Sequence, residues 1–240
     1  MPRRPHQPIP DPAEQYSRQI QRPLNHLAII APLLIFFHAA GTLLNIRTSL
    51  LVPHYLKIAL NLLGATGAYL TAALVVGVLL AQHLVRKDPW RLSLKAIAGQ
   101  LGEGMIWTPP LLAAAWLTTG LGKPVPPACH LRAVLESIGA GVYEEFLFRL
   151  VLISAANIIL IDVLGLKKLH AAIIAVALSA GLFAACHFAP DQLLGRADMS
   201  WSAFAFFLIA GAWWAGLFAW RGFAVAVVSH LCWDLFVAFM

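Results

Sequence analysis

Residues 132–161 read RAVLESIGAGVYEEFLFRLVLISAANIILI, and the fold turns on that stretch. Its apolar residues show no strand-like alternation, and the run exceeds the roughly 20 residues that carry a helix across a hydrocarbon core. The spacing therefore predicts a membrane-spanning helix. Glu144, Glu145 and Arg149 lie in its middle. Ionisable groups at bilayer depth are costly and rarely kept without a role, so they mark a functional site by default. The run is also too long for one upright helix: it is either strongly tilted or broken near Arg149 into two pieces.

The rest of the chain belongs to the same class. Of its 240 residues, 60% are hydrophobic and only 12% are charged, and the mean hydropathy is +0.76. Those values exclude an ordinary soluble domain. Further spans are expected near 27–44, 58–81, 105–121, 169–188, 202–220 and 222–240. The unbroken apolar runs exclude a transmembrane β-barrel, whose strands alternate over about 10 residues. The expected fold is all-α, a polytopic transmembrane bundle of seven or eight helices. Pro109-Pro110 predicts a kinked or re-entrant 105–121 segment. Residues 1–26, with prolines at 2, 5, 8, 10, 12 and 23, read as a disordered cytoplasmic tail, and 27–240 as one membrane-embedded domain. The first span is expected to be an anchor rather than a cleaved signal.

Seventeen Lys and Arg against eleven Asp and Glu give a net charge of +6 and a pI near 9.6. A nucleic-acid partner does not follow, because the basic residues flank apolar spans rather than sharing a face. They report topology instead. With seven spans and the amino terminus inside, Arg3, Arg4, Arg18, Arg22, Arg86, Lys87, Arg91, Lys95, Lys167, Lys168 and Arg221 are internal. Arg47, Lys57, Lys123, Arg132 and Arg196 are external. This asymmetry predicts a multi-pass protein of a bacterial inner or plasma membrane with a cytoplasmic amino terminus; an extra crossing within 132–161 would invert everything after it. Cys129, Cys186 and Cys232 lack the spacing of a metal site, and no structural disulfide is expected.

Two further polar insertions accompany the glutamates: Phe183-Ala-Ala-Cys-His187 and His230-Leu-Cys-Trp-Asp234. Glu145 and Arg149 are four apart and can pair on one helix face, which leaves Glu144, about 100° away, free to act. His230 and Asp234 are also four apart. Each insertion has a plain structural reading: an ion-pair network that fixes packing, a core histidine, a local His–Asp hydrogen bond. A single site assembled from several helices explains all three together. A carboxylate shielded from water can act as general base near neutral pH, while an imidazole orients the water or donates to the developing oxyanion. The alternative is a metal, zinc or another divalent ion, held by Glu144, His187, His230 and Asp234. Both routes activate water for acyl-bond hydrolysis. Ser229 beside His230 remains as a further candidate nucleophile.

The ordered set E-E-x-x-x-R, F-x-x-x-H and H-x-x-x-D/N on successive late helices resembles the CPBP family. These are the CAAX-processing and bacteriocin-processing intramembrane proteases, also called the ABI family. The stretch Phe207-Leu-Ile-Ala-Gly211-Ala-Trp-Trp-Ala-Gly216 resembles that family's small-residue helix. The resemblance covers about residues 130–240, the catalytic core it implies. Within it, Glu144 would activate water with help from His187, and His230 with Asp234 would stabilise the oxyanion. Glu145 and Arg149 would support the first motif. The type II prenyl-protein endopeptidases often carry Asn at the last position. Asp234 cannot donate when ionised, so it fits a role orienting His230 or binding a metal better than a direct oxyanion role.

The expected activity is that of an intramembrane endopeptidase acting on a membrane-anchored protein or peptide. CAAX-like processing, bacteriocin-like maturation and removal of a carboxyl-terminal sorting signal all fit. The competing readings are a non-catalytic scaffold or immunity protein, and a small proton-coupled transporter. The depths of Glu144, His187 and His230 disagree under the seven-span topology. Taking His187 as the marker, the site opens toward the outer half of the membrane.

Overall fold

The computed structural model describes residues 11–67, 69–119 and 130–240, and among these there are helices and no strands. In chain order they are α1 (Pro12–Ile20), α2 (Pro23–Leu43), α3 (Leu51–Leu62), α4 (Leu70–Arg86), α5 (Leu94–Ile106) and α6 (Pro109–Thr119). Then follow α7 (His130–Val163), α8 (Lys168–Ala185), α9 (Trp201–Arg221) and α10 (Phe223–Phe239), with a single turn at Pro190–Leu193. Four of them, α2, α7, α8 and α9, are long and apolar enough to cross a membrane, and α4 and α10 are shorter apolar helices. Large apolar side chains such as Ile35, Ile173 and Ile209 stand on their outer faces, as lipid contact requires. The molecule is an all-α membrane bundle.

The long central run is a single helix. Instead of breaking near Arg149, α7 passes into π-helical geometry over Phe146–Ile153 and again over Ile158–Val163. At 1.5 Å per residue its 34 residues extend roughly 50 Å, well beyond a 30 Å hydrocarbon core. Such a helix must tilt or overhang. The π turns begin directly after the glutamate pair, a setting typical of functional sites.

Three segments differ from the sequence expectation. The 58–81 span is split into α3 and α4, because Gly64 adopts φ +77° and ends α3. There Ala65 N–H reaches back to Leu60 O and Gly64 N–H to Asn61 O, closing the helix with a left-handed cap. The 105–121 segment is two helices that meet at Trp107-Thr108, with Pro109 opening α6; its last residues lie outside the described ones. Proline fits there because the first helical N–H groups have no partner to lose.

The third difference is the tail. Residues 12–20 form a helix rather than a disordered arm, and Ile20 is fully buried. Asp11 caps α1 and Pro12 starts it. Tyr16 donates to Glu103 (3.0 Å), Gln100 donates to Ile20 O (2.6 Å), and Ser93 donates to Gln19 (3.0 Å). Arg221 pairs with the same Glu103 and lies over the Tyr16 ring. Burial, then the Glu103 contact, pushes the Tyr16 phenol above its ordinary value. Composition misses this because these side-chain partners, Ser93, Gln100, Glu103 and Arg221, lie more than 70 positions away. Residues 1–10 lie outside the described ones.

Small residues let the site-bearing helices meet at backbone distance. A Cβ on Gly141 of α7 would stand 3.2 Å from Leu231 N and 3.3 Å from Val227 O of α10. One on Gly211 of α9 would meet Ala180 Cα of α8 at 3.0 Å. Helix association in lipid depends on such close packing, since apolar burial alone does not favour helix contact over lipid contact.

Candidate active site

Glu145, fully buried on α7, is the hub of the site. One carboxylate oxygen lies 2.9 Å from His230 Nδ1 on α10, and the other lies 3.1 Å from Arg149 Nε one turn along α7. His230 is itself buried, and its Nε2 faces Asp234 Oδ2 at 3.5 Å. Both imidazole nitrogens therefore point at carboxylates. A neutral imidazole carries one N–H, so donating to both oxygens requires an additional proton held within the Glu145–His230–Asp234 chain.

Arg149 has no exposure at all, and besides Glu145 it lies over the Phe183 ring at 4.6 Å and the Phe148 ring at 5.8 Å. Its guanidinium nitrogens make no well-aligned hydrogen bond, so charge attraction and aromatic faces compensate the burial. Ring planes fix the rest. Trp214 of α9 stacks on His230 at 3.9 Å and 12°, while Phe183 meets the same imidazole edge-on at 6.0 Å.

Glu144 and His187 form the accessible half. Glu144 is half-buried, beside the buried pair and close enough to feel the charges of His230 and Asp234. His187 lies two residues beyond the last residue of α8, and it is exposed. Its Nδ1–H donates to Phe183 O at 2.8 Å. A carbonyl only accepts, so Nδ1 carries the proton and Nε2 of the neutral ring keeps its lone pair. Phe207 of α9 stacks on this ring at 3.9 Å and 20°.

Arg149, His187 and His230 thus meet the Phe183 ring, and Glu145 and Asp234 join them through His230, with two surprises. Glu145, expected only to neutralise Arg149, also holds His230. Phe207 and Trp214, which the sequence presented as part of a small-residue helix, are the two stacking partners. Ser229 is buried, its Oγ accepts from Trp214 Nε1 at 3.3 Å, and both nitrogens of the neighbouring His230 face carboxylates instead. Among the described residues no three His, Cys, Asp or Glu side chains are grouped as a metal would need. Cys186 and Cys232 are free thiols, and Cys129 lies outside the described residues.

Residues 126–236 match the family model for type II CAAX prenyl endopeptidase Rce1-like proteins. That segment resembles the Rce1-like family. It contains Glu144, Glu145, Arg149, His187, His230 and Asp234, and α1 to α6 lie outside it. No curated protein and no solved structure is significantly similar to the chain. An Rce1-like segment carried on helices long and apolar enough to cross a bilayer is the pattern of an integral membrane protein.

Proposed function

We propose that this protein is a glutamate-dependent intramembrane endopeptidase that hydrolyses a peptide bond in a membrane-anchored protein or peptide. The observation that carries the reading is the division of the glutamate pair. Glu145 is engaged by Arg149 and His230, while Glu144 beside it is only half-buried and has no partner of that kind.

Glu144 takes a proton from a water molecule as its oxygen attacks the scissile carbonyl. His187, with Nε2 unprotonated, accepts a hydrogen bond from the same water and aims it. The carbonyl oxygen becomes negative as the new C–O bond forms. His230 Nε2–H stabilises it, because the 3.5 Å separation from Asp234 is a weak contact that a substrate oxygen can replace. The proton on Glu144 then passes to the amide nitrogen, the C–N bond breaks, and an amine and a carboxylic acid leave. Asp234 orients His230 and balances its charge. No step needs a metal.

The family points to CAAX-type substrates, with bacteriocin-like precursors and carboxyl-terminal sorting signals as further members of the same chemical class. The charge asymmetry supports a cytoplasmic amino terminus. The test is cleavage of a membrane-anchored peptide library by purified protein, wild type beside Glu144→Ala, with and without a chelator. Cleavage by the wild type alone, indifferent to chelator, supports the proposal. Equal cleavage by both proteins sinks it, chelator-sensitive cleavage restored by zinc makes the enzyme metal-dependent, and intact capture of a partner without cleavage favours a scaffold.

A further inference from the structure

Phe207 and Trp214 are seven residues apart on α9, two turns along one face, or roughly 10 Å of axial rise. Each lies flat against one site imidazole at the same centroid distance of 3.9 Å, Phe207 on His187 and Trp214 on His230. The two imidazoles come from distant parts of the chain, one just past the end of α8 and one on α10, and α9 stacks a ring on each. It is held in place from outside the site: Trp213 Nε1 donates to Trp107 O at 2.9 Å, and Gly211 packs on Ala180 at backbone distance.

We propose that Phe207 and Trp214 are positioning residues, a two-ring clamp that sets the planes of His187 and His230 relative to each other. The proposal rests on the protease reading for its kinetic consequence but not for its geometry. The two sites have unequal need of the clamp. His230 is buried and held at both nitrogens, so Trp214 adds to an already fixed ring. His187 is exposed at a helix end, with one hydrogen bond and the Phe183 ring, tilted at 4.7 Å, as its other restraints. Rotation about its side-chain bonds would carry Nε2 away from the water it aims. Phe207 is the face that prevents this.

A stacked aromatic pair is worth about two- to tenfold in the population of the stacked arrangement. Phe207→Leu therefore lowers kcat about two- to tenfold while leaving KM within about twofold, because the substrate is still bound and the water is misplaced. Phe207→Tyr keeps a flat ring and restores the rate. Phe207 is half-buried, so neither change removes a core side chain. The second readout needs no substrate: nitrogen NMR of histidine-labelled protein in detergent, with His187 assigned by its loss in His187→Gln. Wild type and Phe207→Tyr show one fixed tautomer with Nδ1 protonated, whereas Phe207→Leu shows averaged nitrogen signals. Unchanged His187 signals in Phe207→Leu overturn the clamp whatever the kinetics. If the wild type cleaves nothing, or Glu144→Ala cleaves equally well, the protease reading fails while the His187 signals still decide the clamp.

Discussion

Glu145 and Arg149 are both completely buried and paired, yet their removal has unequal consequences. Replacing Glu145 with Leu strips Arg149 of its carboxylate and leaves a guanidinium among Phe148, Phe183 and apolar backbone. It also takes the acceptor from His230 Nδ1. Breaking a buried pair by deleting one partner costs about 3–5 kcal/mol, and a further buried hydrogen bond about 1–3 kcal/mol. Replacing Arg149 with Met leaves Glu145 with His230, which can carry the balancing proton, and Met fills much of the guanidinium's volume. That variant loses the pair but strands no charge, so about 1–3 kcal/mol is the expected cost. At roughly 2–4 °C per kcal/mol for a chain of this size, Glu145→Leu lowers the unfolding temperature by about 10 °C or more, and Arg149→Met by less than half as much. The double variant, which buries neither charge, recovers part of the Glu145→Leu loss. Thermal unfolding of the purified proteins in one detergent measures all three. Equal losses, or Arg149→Met the worse of the two, would show that the guanidinium and not the carboxylate organises the site.

Two further substitutions probe packing and chemistry. Gly211→Val sets a Cβ 3.0 Å from Ala180 Cα with no flexible atom to yield, so α9 must move off α8; overpacking of this kind costs about 1–3 kcal/mol, and the stacks on His187 and His230 loosen with it. Unfolding temperature and cleavage rate should fall together, and an unaffected rate would separate the helix contact from the site. Asp234→Asn keeps an oxygen that can accept from His230 Nε2–H but removes the charge that favours imidazolium. A loss of about tenfold is expected rather than abolition, measured as kcat/KM on one substrate, and a loss equal to that of Glu144→Ala would give Asp234 a direct part in the reaction.

Much of this was legible in the sequence because bilayer physics leaves few choices. Apolar runs of span length mean helices, and a carboxylate within one has to be accounted for, so Glu144, Glu145, Arg149, His187, His230 and Asp234 stand out in the sequence itself. What stayed hidden depends on contacts distant in sequence or on backbone irregularity. The π turns after Glu145 slip the helical phase by about one residue, so a wheel drawn at 3.6 residues per turn misplaces the faces beyond Phe146. Glu145 pairs with both Arg149 and His230, but only the first partner lies four residues away and is visible as a pattern. Gly64 ends α3 with a left-handed residue inside an apolar run that hydropathy reads as continuous. Residues 11–26 are polar enough to read as a tail, and their anchors on Ser93, Gln100 and Glu103 have no local signature.

The site's two halves follow from one physical demand. An ion pair and an imidazole cannot be left to lipid, so the protein must cover them, and Glu145, Arg149 and His230 are accordingly almost inaccessible. Complete cover would also exclude the water and the peptide that hydrolysis consumes. The chain meets both demands by placing the second glutamate one residue earlier on the same helix, about 100° around, where it is half-buried. The second histidine is placed just past the end of α8, where the backbone leaves the bundle. On the proposed reading, rigidity is supplied by the buried three and access by half-buried Glu144 and exposed His187, while the Phe183 ring touches Arg149, His187 and His230. Replacing that ring with a small side chain would open the buried ion pair to water and loosen His187 at once, which is why a residue with no chemistry of its own stands at the centre of the motif.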